Sequence, residues 1–159
     1  MDRLNQAPSD DDWGEIRDQD DLDEKWSRNH YMGRTLREKM EELSNSPLSY
    51  TEDLRAMPEI PFCYFILGFK EALHPGPEES DFNLMFPSDT ASCFLSLVEE
   101  TLQKSPKKIM PVMHEILPLA KYVSENQELY EANPDIYGNF VTLYQEIEQL
   151  YIAQLHENM

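Results

Sequence analysis

The residues of this chain whose types could do chemistry are few, and their spacing excludes most of the chemistry. There are four histidines, His30, His74, His114 and His156. His114-Glu115 begins like a zinc-protease pair, in which two histidines one turn apart hold the metal and the glutamate acts as base. The second histidine would fall where Pro118 stands. Glu71-Ala72-Leu73-His74 is a Glu-x-x-His unit. A carboxylate-bridged di-metal bundle needs two such units on facing helices, with further glutamates. Only one is present, and Pro75 follows it directly.

Nucleophilic chemistry fares no better. Cys63 and Cys93 are the only cysteines. Each sits in an apolar run, Phe62-Cys63-Tyr64-Phe65 and Ser92-Cys93-Phe94-Leu95, and reads as a small buried hydrophobe. No Gly-x-Ser-x-Gly elbow occurs, and the chain has only five glycines. Phosphate and dinucleotide loops need glycine for close backbone approach, so they are excluded too. The carboxylate pairs Glu99-Glu100 and Glu146/Glu148 read as solvated helix faces. The sequence predicts no enzyme, no cofactor and no metal site.

The elements that would position these residues are helical. Leu36, Met40 and Leu43 recur at intervals of four and three, which predicts a helix over 22–43 that Gly33 weakens midway. Ser44-Asn45-Ser46-Pro47 ends it. A short helix over 50–57 follows, with Ser49 and Glu52 as its capping box. Residues 60–73 form the most apolar stretch. Its length and its poverty in β-branched residues favour a helix, and apolar residues on nearly every side place that helix in the middle of a bundle. Gly68 suits a close crossing there. Ser88 reads as the cap of a helix over 89–104, with Ala91, Phe94, Leu95, Val98 and Leu102 facing inward. A helix over 108–123 contains Pro118, which predicts a kink. Ser124 opens a further capping box. Asn133-Pro134 pairs an N-cap with proline at the first helical position and starts a last helix over 134–156.

Charge is the strongest departure from the ordinary. The 159 residues carry 31 acids and 13 bases, a net charge of −18. A phosphate-backbone binder needs clustered Lys and Arg, so direct nucleic-acid binding is excluded, as is an anionic membrane surface. The longest apolar run, 62–67, falls far short of the ~20 residues of a membrane span. The polar start of the chain is unlike a signal peptide, so the expected location is the cytoplasm. No Lys or Arg follows Lys121, whereas seven acids do. The negative field therefore belongs to helices as well as to the N-terminal segment.

These features predict an all-α fold: a single compact bundle of about five or six helices with a central apolar helix. Residues 1–21 are expected to form an acidic, flexible N-terminal arm and residues 22–159 the helical domain. The expected function is that of a non-catalytic protein-binding module, such as an adaptor, an inhibitor or an immunity-type factor. It would engage a basic partner surface through an acidic helical face. The candidate contact residues are Trp13 and Trp26, whose rings suit interface anchors, and Tyr137, Tyr144, Glu148 and Tyr151 toward the C-terminus. Tyr137, Tyr144 and Tyr151 repeat every seven residues, which also allows a homodimer through the last helix. A helical enzyme or metal bundle without a linear motif is the remaining alternative.

Overall fold

The computed structural model describes residues 3–15, 21–74, 76 and 84–158. Ile16 lies outside them, as does most of the loop before Pro87. All regular structure among the described residues is helical. Helices α1 (Leu22–Tyr31), α2 (Leu36–Asn45), α3 (Pro47–Arg55), α4 (Glu59–Phe65) and α5 (Gly68–Leu73) make the first half. Helices α6 (Pro87–Lys104), α7 (Pro106–Ile109), α8 (Met113–Glu125), α9 (Pro134–Tyr137) and α10 (Phe140–Glu157) make the second. Single 3₁₀ turns lie at Arg3–Asn5, Asp10–Trp13, Met110–Val112 and Gln127–Tyr130.

There are more helices than the periodicity predicts, because four expected helices are each divided. The first divides at Gly33, whose φ of +77° is a left-handed conformation that suits glycine. Thr35 then restarts the chain as α2 with a reciprocal capping box to Glu38. The apolar stretch divides around Ile66 and Leu67, where Leu67 N–H donates to Tyr64 and Phe69 N–H to Ile66 in tighter i→i−3 bonds. The helix over 108–123 becomes α7, a 3₁₀ turn and α8, and α8 continues through Pro118. The last helix divides at Gly138, with φ of +78°. Asn139 is the cap of the long segment, accepting from the N–H groups of Val141 and Thr142, while Asn133 caps only the single turn of α9. Three expected caps also move. Pro47 and Pro87 take first-turn positions, which leaves Ser49 and Ser88 inside α3 and α6, and Ser124 lies within α8.

The centre of the bundle is shared rather than held by residues 60–73 alone. Helix α6 packs on α3, α5, α7 and α10, and α10 lies across α6 and α8. Phe62, Phe65, Ile66, Phe69, Ala72 and Leu73 are fully buried, but Ile60 is exposed. Gly68 permits a close approach: a Cβ there would lie 3.0 Å from Tyr50 Oη and 3.1 Å from Leu43 Cδ1. The core contains the fully buried tyrosines Tyr31, Tyr50 and Tyr130. Tyr31 meets Phe65 edge-on at 5.0 Å and Tyr50 meets Phe69 at 5.6 Å, an arrangement aromatic quadrupoles favour. Each buried hydroxyl finds an acceptor: Tyr50 donates to Phe65 O and Tyr130 to Leu73 O. Over residues 3–15 the acidic N-terminal segment lies against the domain. Arg3 pairs with Glu115 at 2.8 Å, Tyr64 donates to Arg3 O, and Trp13 is only 2% exposed.

Candidate functional site

Residues of α1 and α3 line a groove of about 1440 Å³. Trp13, Gly14 and Glu15, together with Met57, Pro58 and Lys108, line it as well. Helix α1 is held in place by its own cap, Asp21 accepting from Glu24 N–H at 2.7 Å. Two bonds tie it to α3: Ser27 Oγ donates to Asp53 O at 2.9 Å, and Tyr31 Oη donates to Asp53 Oδ2 at 2.9 Å.

Seven carboxylates line this groove, among them Asp21, Asp23 and Glu24 at the start of α1 and Glu52 and Asp53 on α3. All but Asp53 are exposed. Asp53 is half-buried, and desolvation raises its carboxyl above the ordinary value although the Tyr31 hydroxyl works against that. Three cations line the groove as well, and each has a partner within the protein. Arg28 donates to Trp13 O at 2.7 Å, Arg55 pairs with Glu100 of α6, and Lys108 Nζ donates to Arg55 O at 2.7 Å. Burial pushes the Lys108 ammonium down to about 8, against the pull of Glu24, and its Nζ lies 5.0 Å from the Phe62 ring centre. The groove is therefore a negative surface whose positive groups serve its own walls.

An aromatic surface adjoins these charges. Trp26 is 55% exposed and stacks on His30, ring centres 3.6 Å apart. His30 Nδ1 lies 2.8 Å from Trp26 O, so the imidazole is held against the indole. Two buried donors of groove residues have no acceptor among the described residues, Trp13 Nε1 and Arg28 Nη1. Such buried orphans are uncommon in folded proteins.

The sequence candidates separate into three places. Trp13 and Trp26 both line the groove, Trp26 at its surface and Trp13 buried against Phe65 at 6.4 Å. Tyr144 and Glu148 meet on α10, where the hydroxyl donates to Glu148 Oε2 at 3.2 Å, and Tyr151 is half-buried one turn on. Tyr137 stands apart on α9, donating to Asp89 Oδ1 at 2.7 Å and accepting from Ser88 at the start of α6. The seven-residue tyrosine repeat is thus broken by Gly138. The groove carboxylates were not singled out as a site from the sequence. Asp21–Glu24 and Glu52-Asp53 are visible there as two acidic clusters, but nothing local says that they face one another.

Other reactive groups are quiet or isolated. Both cysteines are free and half-buried. Burial pushes the Cys63 thiol up to about 11, which removes thiolate character, and its Sγ donates to Lys108 O. Among the described residues no three His, Cys, Asp or Glu side chains converge as a metal site. None of the described helices is long and apolar enough to cross a membrane. Glu99 of α6 is the exception among the carboxyls. Burial, then a hydrogen bond to Glu146 of α10, raises it to about 7, and its Oε2 is buried without a partner.

No known protein family, no curated protein and no solved structure matches this chain.

Proposed function

We propose that the protein is a non-catalytic binding module of the cytoplasm, and that its groove lined by α1 and α3 takes a Lys- or Arg-bearing segment of a basic partner protein. The supporting observation is the charge arrangement: seven carboxylates line the groove, and its three cations are already engaged by the protein's own carbonyl and carboxylate oxygens. A partner cation gains Coulomb energy there without displacing an internal one. The exposed Trp26 ring offers the same ligand a cation–π surface, worth about 0.5–1 kcal/mol at an exposed site. Complementary charge of this kind mainly sets the encounter rate and partner choice.

The test is calorimetric titration with a short Lys/Arg-rich peptide and, as control, a Glu-rich peptide of equal length. Binding of the basic peptide alone is expected, weakening as salt rises because exposed charges are screened within about 10 Å at 0.1 M. The double variant Glu24→Gln/Glu52→Gln is expected to weaken it about tenfold and Trp26→Ala by several-fold. Salt-insensitive binding, or no difference between the two peptides, overturns the reading.

A further inference from the structure

Helix α10 carries a second apolar strip besides the one it buries. Phe140 and Ile147 are fully buried, with Leu143 and Leu150 packed on the core beside them. Along one flank run Val141, Tyr144, Glu148, Ile152 and Leu155, separated by three, four, four and three residues. That spacing puts all five on one strip of the helix, about 21 Å long at 1.5 Å per residue. Val141, Ile152 and Leu155 are 44%, 45% and 42% exposed. Single exposed apolar residues are ordinary on a protein surface. Three on one strip, with the half-buried Tyr144 among them, make an apolar strip that Glu148 interrupts.

The strip's charge decides what can cover it. Glu148 lies midway between Val141 and Leu155, is exposed, and holds the Tyr144 hydroxyl. Burial, then Glu148 and Glu125 of α8, raise the Tyr144 phenol above its ordinary value, so a second acid lies close by. No Lys or Arg follows Lys121 to balance them. A second copy of this chain is therefore a poor occupant. With the two strips fully overlapped about a two-fold axis, parallel or antiparallel, the midpoint of the strip meets itself and Glu148 faces Glu148. Like charges so juxtaposed disfavour the pairing.

We propose that this flank docks an amphipathic helix of a different protein. The partner's apolar residues would cover Val141, Tyr144, Ile152 and Leu155, and a Lys or Arg at its middle would meet Glu148. This rests on the reading of the chain as a binding module but uses a surface other than the groove, so the two can fail separately.

The probe is a synthetic helical peptide with leucines at the same three-four-four-three spacing and a lysine at the central position. Its control carries glutamate at that position. Fluorescence anisotropy is expected to show the lysine peptide binding about tenfold more tightly than the control. Glu148→Lys, at a residue outside the groove lining, should reverse that preference. Glu148 is exposed, so its replacement is expected to leave the fold intact. Two results overturn the proposal. One is an absence of binding, or a preference that Glu148→Lys does not move. The other is a concentration-dependent dimer in sedimentation that Ile152→Asp abolishes, which would assign the flank to a second copy.

Discussion

The Tyr31 hydroxyl donates to Asp53 Oδ2 at 2.9 Å and so joins α1 to α3, the helices that carry most of the groove's carboxylates. Tyr31 is fully buried, its ring lies edge-on to Phe65, and Lys39 Nζ sits 4.2 Å from its centre. One side chain thus anchors the groove to the core. Tyr31→Phe keeps the packing and removes the bond, leaving a half-buried carboxylate short of a donor. A loss of about 1–3 kcal/mol is expected in urea unfolding, with the slope unchanged. A variant as stable as the parent would mean that water replaces the hydroxyl.

Gly68 tests the closeness of the crossing between α2, α3 and α5. An added Cβ would sit 3.0 Å from Tyr50 Oη, 3.1 Å from Leu43 Cδ1 and 3.3 Å from Leu36 Cδ2. Tyr50 cannot easily yield, since its hydroxyl is committed to Phe65 O. Gly68→Ala is expected to cost about 1–3 kcal/mol through overpacking, even though alanine is the better helix former. Gly33→Ala meets nothing within 4 Å but must adopt a φ of +77°. Its cost is expected to be purely conformational, about 1–2 kcal/mol. Thermal unfolding of the two variants checks both.

The carboxyl pair between α6 and α10 predicts a pH dependence. Glu99 is raised to about 7 by burial and by its hydrogen bond to Glu146, whereas an unfolded glutamate titrates near 4.5. Between those values the folded state holds more protons than the unfolded state, so stability falls as pH rises from 4.5 to 7. The penalty is absent below 4.5 and complete above 7. Glu99→Gln mimics the protonated acid and still donates to Glu146. It is expected to remove that slope and to stabilise the protein at pH 8 by about 1 kcal/mol, a small figure because water screens part of the interaction. Denaturant titrations of both proteins across pH 4–8 measure it, and parallel curves would contradict the assignment.

Lys108 should be the most readily acylated lysine at pH 8. Burial lowers its ammonium to about 8, so about half is neutral amine at that pH, against well under 1% for an ordinary lysine near 10.4. It also lines the groove, through which a small reagent can arrive. Limited acetic anhydride labelling followed by peptide mass spectrometry is expected to find Lys108 modified first. Bound basic peptide should protect it. Uniform labelling of all lysines would show that the amine is not desolvated in solution.

Much of the helical architecture is legible along the chain, and its errors are instructive. The intervals of four and three in Leu36-Met40-Leu43 and in Ile136-Phe140-Leu143-Ile147-Leu150 lie in helices, because a buried stripe must repeat with the turn of the helix, but Ile136, cut off in α9, is exposed. Boundaries are less legible. Gly33 and Gly138 end helices by adopting positive φ, a choice glycine allows but does not compel. Asn139, not Asn133, starts the long last helix, since two asparagines six residues apart are both competent caps and the intervening turn decides between them.

What the sequence by itself determines is what each residue carries locally: helical periodicity, net charge, the lack of cations after Lys121, and the missing second histidine and second Glu-x-x-His. These need no knowledge of distant neighbours. Only the tertiary structure decides that Asp21, Asp23, Glu24, Glu52 and Asp53 line one groove with Trp13 and Trp26, that Trp13 is buried, and that Lys108 is desolvated beside them. The physical reason is that facing, burial and proton affinity depend on distances between helices far apart in the chain. Those distances are set by how Tyr31, Phe65 and Gly68 pack, not by the spacing of the charges themselves.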